Sequence, residues 1–165
     1  MKRAFAFLAE GLAGIAGFGI AVAVVLNLAQ IIYRYVLFSP LAWTEEAMRY
    51  LMVWVTMLGI AASLYRGEEA MAGFFGGIRS ARLQKALHVV RIGLILIFGA
   101  MLAWFGLPFA TGAGSQVSPA AQIPMLWPNL AIFVGGVLVI VMALGMLIAP
   151  PAPREGDVLR PEDVS

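Results

Sequence analysis

The longest stretch without a charged residue constrains this chain most, since it runs from Ile92 to Pro153. A helix needs about 20 apolar residues to cross a bilayer, so this stretch is long enough for more than one crossing. Its middle cannot remain helical, because glycine and proline interrupt it repeatedly. The interruption comprises Gly112, Gly114, Ser115, Ser118, Pro119, Pro124 and Pro128. We therefore predict two membrane-spanning helices here, at about residues 90–109 and 129–149.

The N-terminal half contains two further candidate spans. Residues 11–33 form an uncharged run that is too long for the apolar core of a cleaved signal peptide, which has about 7 to 15 residues. A second span, residues 45–65, follows Pro40. Thr44 is predicted to cap it, and Glu45 and Glu46 occupy its first turn, where carboxylates favour the positive end of the helix dipole.

Composition supports the same interpretation, because 62% of the residues are hydrophobic and only 12% are charged. A soluble domain usually has about 25% charged residues. We predict an all-α integral membrane protein with four transmembrane helices in a single domain, residues 1–149. Residues 150–165 are rich in Pro, Asp and Glu and are predicted to be a disordered tail.

The distribution of Lys and Arg predicts the orientation. With the N-terminus in the cytoplasm, nine of these residues fall on the cytoplasmic side, and only Arg34 and Arg49 fall on the other side. Short cytoplasmic loops are enriched in Lys and Arg, so both termini are expected in the cytoplasm. The net charge of +2 reflects this topology and does not indicate nucleic acid as a partner.

A basic amphipathic helix is predicted between the second and third spans. From Ile78 onward, Leu83, Ala86, Leu87, Val90 and Leu94 share one helical face, while Arg82, Gln84, Lys85, His88 and Arg91 lie away from it. We expect this segment to lie on the cytoplasmic membrane surface and to continue into the third span. Arg82, Lys85 and Arg91 are the candidate lipid-surface residues, and they either enforce topology or contact a specific lipid or partner.

Residues suited to catalysis or metal binding are scarce. The chain has no Cys and a single His, His88, whereas a zinc site needs three or four protein ligands. The glycines Gly73, Gly76 and Gly77 do not form a phosphate-binding loop. No ionisable residue falls in the middle of a predicted span, although ion-coupled transport by one chain normally needs one. We therefore predict a protein that is not an enzyme and binds no cofactor or metal.

Polar and small residues recur on particular helix faces, which indicates protein contacts. In span two one sector contains Glu45, Arg49, Thr56, Gly59 and Ser63, and the opposite side, predicted to face lipid, contains Leu51, Trp54 and Leu58. Span one aligns Asn27, Gln30 and Arg34, and it has a row of small residues at Ala13, Gly17 and Ala21. These faces either pack within the four-helix unit or dock a second subunit. We also predict an ion pair between Arg34 and Glu45 or Glu46.

Several of these segments together resemble a known family. They are the stretch Arg34–Tyr50 (RYVLFSPLAWTEEAMRY), then Val53-Trp54 and Leu58-Gly59, and later Ser118-Pro119-Ala120, Ile123-Pro124 and Pro128. The chain resembles the small membrane subunit of tripartite ATP-independent periplasmic (TRAP) transporters, the DctQ-like family. Members often have a His in the loop after span two, whereas here residues Arg66–Gly73 contain none.

The resemblance implies an accessory subunit in the bacterial inner membrane. Its partners would be a large membrane subunit, which holds the sodium and substrate sites, and a periplasmic solute-binding protein that delivers an organic acid or a similar solute. The small subunit would brace the large one and help dock the binding protein. The expected interface residues are Arg34, Trp43, Thr44, Glu45, Glu46, Arg49, Thr56 and Gly59.

Two other functions compete with this interpretation. A self-sufficient four-helix transporter that acts as a homodimer should have a membrane-embedded Glu, which the predicted spans lack. An intramembrane enzyme or its scaffold should contain a Ser-His pair, paired Asp residues or a cluster of metal ligands. Neither pattern is present in the sequence.

Overall fold

The computed structural model describes residues 2–39, 41–66 and 81–148. Within these ranges the chain forms four α-helices: α1 (Lys2–Tyr35), α2 (Ala42–Arg66), α3 (Ala81–Gly112) and α4 (Leu126–Ile148). Each contains a segment long and apolar enough to cross a membrane. The prediction of an all-α membrane protein with four spans is confirmed.

The first turn of α2 differs from the sequence-based expectation. The helix begins at Ala42, so Thr44 lies inside the first turn, where its Oγ1 donates a hydrogen bond to the carbonyl oxygen of Leu41 at 2.6 Å. An N-cap side chain would instead accept a hydrogen bond from a backbone N–H. The predicted capping role of Thr44 is therefore wrong.

Proline residues are accommodated in both α3 and α4. Pro108 lies inside α3, which continues for a further turn to Gly112. Pro128 lies in the first turn of α4, where the missing N–H would have had no partner within the helix.

The basic segment before the third span is part of α3 in the structure. Helix α3 runs without interruption from Ala81 to Gly112, and Arg91 is half-buried on it. The side chains of Arg82 and Lys85, and residues 67–80 with Ile78, lie outside the described residues, as does the tail after Ile148. The location of this segment on the membrane surface stays a prediction.

The four helices pack in the order α1, α2, α4, α3, so α2 and α4 occupy the centre and α3 packs mainly against α4. We call the end of the bundle that holds the start of α1 the inner end, and the end that holds the α1–α2 and α3–α4 loops the outer end. The buried core lies where α1, α2 and α4 meet toward the inner end. It comprises Ala9, Leu12, Ala61, Ala62, Leu64, Tyr65, Val139, Met142 and Met146.

Helices α3 and α4 approach closely at two glycines that face the neighbouring backbone. A Cβ on Gly136 would lie 2.6 Å from the backbone nitrogen of Ala103, and a Cβ on Gly106 would lie 2.8 Å from that of Phe133. Backbone atoms cannot move aside as a flexible side chain can. Only glycine permits this helix separation.

One predicted helix face points in another direction than expected, and a second is exposed. Leu51 of α2 lies near Gly19 of α1, and Leu58 packs against the core. The prediction that these two residues face lipid is therefore wrong. On α1, Gly17 and Ala21 of the predicted small-residue row are exposed, so docking of a second subunit on this row stays a prediction. The small residues that α1 actually buries are Ala9, Ala16, Gly19 and Ala23.

Candidate functional site

The outer end combines polar groups from two helices, α1 and α2, and a loop. Residues 36–41 connect α1 to α2, and residues 113–125 connect α3 to α4. The α3–α4 loop lies against the first turns of α2, where the Tyr50 hydroxyl donates to the sulfur of Met125 at 3.4 Å. The adjacent carboxylates Glu45 and Glu46 point to different partners at this junction.

Glu45 connects the start of α2 to the end of α1. Its Oε1 accepts hydrogen bonds from Gln30 Nε2 at 2.9 Å and from Arg34 Nη2 at 3.2 Å. Gln30 is buried, whereas the Arg34 and Glu45 side chains are 52% and 54% exposed. The predicted ion pair of Arg34 is present, with Glu45 as its partner. An exposed pair of this kind contributes about 0–1 kcal/mol.

Glu46 connects α2 to the α3–α4 loop. Its Oε2 accepts hydrogen bonds from the Ser118 hydroxyl, from the Ala121 backbone N–H at 2.9 Å and from the Ala120 backbone N–H at 3.2 Å. Ser118 is fully buried. Hydrogen bonds to a charged acceptor are stronger than neutral ones. One carboxylate oxygen therefore accepts three hydrogen bonds from residues 118–121 of this turn.

The loop that Glu46 holds is itself ordered by backbone hydrogen bonds. The N–H of Ser118 donates to the carbonyl of Ile123, and the N–H of Met125 donates to that of Gln116, each at 2.9 Å. Gln122 adopts φ 54°, a left-handed conformation that closes the turn and is uncommon outside glycine. The backbone N–H groups of Ala120 and Ala121 are thereby aimed at Glu46.

The other predicted interface residues are distributed over two environments. Trp43 and Arg49 are exposed at the outer end, while Thr44 is buried and bonded to Leu41. Thr56 is exposed farther along α2, and a Cβ on Gly59 would meet no atom within 4 Å. The structure thus brings Arg34 and Glu45 together, gives Glu46 separate partners and leaves an outward-facing row on α2.

Ser118, Ala120 and Ala121 were not among the predicted site residues. Glu46 precedes Ser118 by 72 positions, and no local periodicity relates residues so far apart. The available signals were a Ser-Pro turn and, far from it in the sequence, a carboxylate at a helix start. Turns expose backbone N–H groups that need acceptors.

The site contains no arrangement suited to holding a metal. Within residues 2–39, 41–66 and 81–148, no group of three or more His, Asp or Glu side chains could hold a metal ion. Glu10 is exposed on α1, 23 residues before Tyr33, which corresponds to about 35 Å of helix axis. A hydrocarbon core about 30 Å thick fits between these two residues.

These features define a multi-pass α-helical membrane protein whose polar groups join helix ends and a loop. Residues 12–150 match the DctQ component of tripartite ATP-independent periplasmic transporters. The chain belongs to this family and is a small membrane subunit of a TRAP transporter.

Similarity to a TRAP permease supports the family. The chain is 29% identical over 100 residues to the sialic acid TRAP transporter permease protein SiaT of Haemophilus influenzae (strain 86-028NP). The match covers 61% of this chain and 16% of that protein. The chain therefore spans a small part of the length of the relative it matches.

Proposed function

We propose that this subunit braces the large membrane subunit of a sodium-driven TRAP transporter in the bacterial inner membrane, with both termini in the cytoplasm. It carries no transport pathway of its own, and its outer end helps dock the periplasmic solute-binding protein. The solute is a carboxylate-bearing molecule, a class that includes the sialic acid named for the relative. Selectivity lies in the other components.

The outward face of α2 is the observation that carries this proposal. Arg49 and Thr56 are exposed on this face, and Gly59 has open space where a side chain would lie. Polar groups that face lipid are unfavourable, and small residues allow another helix to approach closely. We infer that a helix of the large subunit covers this face.

Helix α3 provides the contrast that makes the α2 face informative. Its exposed large residues include Ile97, Met101, Trp104 and Phe105, and Trp104 is 77% exposed. These side chains are all apolar, which suits contact with acyl chains. We assign the lipid boundary to this surface of α3 and the subunit interface to α2.

The outer end supports docking of the binding protein through its shape. The α3–α4 loop is held by Glu46 and by its own hydrogen bonds, so its exposed residues keep one conformation. Pro119 and Gln122 are exposed on it, and Trp43 is exposed in the first turn of α2. A rigid surface loses little entropy when it binds a partner.

Co-purification tests the bracing role. A tagged chain should retain the large subunit in mild detergent, and Gly59→Trp should abolish retention because the bulky ring fills the space for the partner helix. The matched control is Ile97→Trp on the apolar face of α3, where the side chain is exposed and is assigned to lipid. Retention with Gly59→Trp and loss with Ile97→Trp would place the interface on α3 instead.

Reconstitution tests the accessory role separately. Vesicles that contain this chain alone should show no solute uptake under a sodium gradient, whereas vesicles with both membrane subunits and the binding protein should show uptake. Uptake by vesicles that contain only this chain, together with a dimeric size in detergent, would support the self-sufficient transporter and contradict the proposal.

A further inference from the structure

A second row of residues on α1 faces away from the bundle. The residues that α1 buries against its neighbours, such as Ala16, Ala23 and Gln30, lie on one side of the helix. Beside them runs what we call the outward row, whose members recur at intervals of three and four positions. It comprises Glu10, Ala13, Gly17, Ile20, Val24, Asn27, Ile31 and Arg34. All are exposed except Ala13, which is half-buried.

Asn27 is the polar residue of the outward row that lies at hydrocarbon depth. It follows Glu10 by 17 positions and precedes Tyr33 by six, or about 26 Å and about 9 Å of helix axis. Because a hydrocarbon core of about 30 Å fits between Glu10 and Tyr33, the Asn27 carboxamide lies inside it. The side chain is exposed and makes no hydrogen bond within residues 2–39, 41–66 and 81–148.

Acyl chains cannot satisfy this side chain. A carboxamide has two N–H donors and a carbonyl acceptor, and polar groups without partners are strongly unfavourable in hydrocarbon. Asn side chains in membrane proteins form hydrogen bonds between helices. A Cβ on Gly17 would meet no atom within 4 Å, so another helix can approach α1 closely there. The outward row therefore fits a protein helix with a hydrogen-bonding side chain opposite Asn27.

A second copy of this chain fits the outward row poorly. Two copies with the same membrane orientation and twofold symmetry would place each residue of a shared row near its own counterpart. Glu10 would then face Glu10 at one end, and Arg34 would face Arg34 at the other. Like charges placed opposite each other are unfavourable. The charges at both ends of the row therefore favour a different chain as the partner.

The outward row borders the α2 face that we assign to the large subunit. Arg34, at the outer end of the row, donates a hydrogen bond to Glu45 Oε1. Glu45 shares one side of α2 with Arg49 and Thr56, which follow it by four and eleven positions. Both of these residues are exposed. A partner that covers the α2 face is thus adjacent to the outward row of α1.

We propose that a membrane helix of the large subunit packs along the outward row of α1 and forms a hydrogen bond with Asn27 through a polar side chain. Gly17 permits the close approach, and Ile20 and Val24 supply apolar contacts. This inference rests on the proposed association with the large subunit. It goes further by adding α1 to the interface and by naming Asn27 as its polar contact within the membrane.

Association in lipid vesicles tests the bond at Asn27. Because the chain has no Cys, Ser165→Cys provides one fluorophore site, and Förster transfer to a labelled large subunit measures binding as lipid is added. Asn27→Leu should weaken binding by about three- to twentyfold, the factor that a hydrogen bond between membrane helices contributes. Asn27→Gln keeps an amide and should recover most of the loss. Val25→Leu, exposed on the opposite side of α1, is the control and should change nothing.

A steric substitution tests the close approach, and stability tests whether Asn27 acts inside the bundle. Gly17→Leu should weaken binding at least as much as Asn27→Leu. Gly11→Leu should not, although a Cβ on Gly11 also meets open space, because Gly11 lies off the outward row. Unfolding of the isolated chain by sodium dodecyl sulfate should be the same with and without Asn27→Leu. A loss of stability would assign Asn27 to the bundle and overturn the inference.

Photocrosslinking identifies what covers the outward row. Benzoylphenylalanine in place of Ile31, one turn from Asn27, should crosslink to the large subunit, whereas the same group in place of Val25 should not. With an unsubstituted pair that associates, four results would overturn this inference alone: unchanged binding in Asn27→Leu, equal effects of the two glycine variants, crosslinking between two copies of this chain, or labelling of lipid only. No association of the unsubstituted pair would contradict the proposed function and this inference with it.

Discussion

The two ends of the bundle are held together in different ways. At the inner end α1, α2 and α4 pack through apolar side chains, and Met142 and Ala61 are fully buried there. At the outer end Glu45 and Glu46 bind partners across helices and a loop. Apolar packing is spread over many contacts, whereas the outer end depends on a few directional hydrogen bonds.

This difference suggests a division of roles. Interlocked apolar packing resists deformation and maintains the bundle. Hydrogen bonds to Glu46 set the conformation of one loop at the surface, where a partner would meet it. The inner end should therefore determine global stability, and the outer end should determine local order and docking.

The largest expected effect comes from the inner end. Met142→Ala should lower the free energy of unfolding by about 2–5 kcal/mol, because it removes a fully buried side chain and leaves a cavity. Leu144→Ala on the exposed side of α4 is the control and should cost less than about 0.5 kcal/mol. Unfolding by sodium dodecyl sulfate in mixed micelles measures both. Similar values for the two variants would show that the inner end is not the stabilising core.

Sequence reasoning succeeded for the helices because their signal is local. Uncharged runs separated by prolines and glycines predict four spans, and the Arg34 ion pair followed from two charges near adjacent helix ends. The orientation of each helix face was harder to predict. In a bilayer both lipid and protein core favour apolar side chains, so Leu51 and Leu58 could not be assigned to one of them from composition.

The partners of Glu46 lay beyond sequence reasoning for a different reason. Contact between Glu46 and Ser118 requires α4 to pack beside α2, and helix order within a bundle is not encoded by hydropathy. On α1 the buried residues Ala9, Ala16 and Ala23 are as small as the residues of the predicted row. The two rows differ only in whether a neighbouring helix of the bundle covers them.

The next effect in size concerns loop order at the outer end. Glu46→Ala should accelerate hydrogen exchange of the Ala120 and Ala121 amides by about tenfold or more, the factor expected when a charge-assisted hydrogen bond is lost. Its effect on global stability should be smaller than that of Met142→Ala. The buried Ser118 hydroxyl also loses its acceptor, so Ser118→Ala in the same background should add little.

The adjacent carboxylate provides the control for that experiment. Glu45→Ala should leave exchange at Ala120 and Ala121 unchanged, because Glu45 binds Gln30 and Arg34 and not the loop. Faster exchange at these amides in both variants would mean that the outer end behaves as one polar cluster, and the assignment of separate roles to the two carboxylates would be wrong.

The smallest effect should come from the ion pair between α1 and α2. Arg34→Glu alone should lower the free energy of unfolding by less than about 1 kcal/mol, because both side chains are half-exposed and solvent screens the interaction. The double exchange of Arg34→Glu with Glu45→Arg should recover part of that loss. Buried Gln30 would then face a guanidinium in place of a carboxylate, so recovery should be incomplete. Full recovery would show that the ion pair, and not the Gln30 hydrogen bond, is the main connection between the two helix ends.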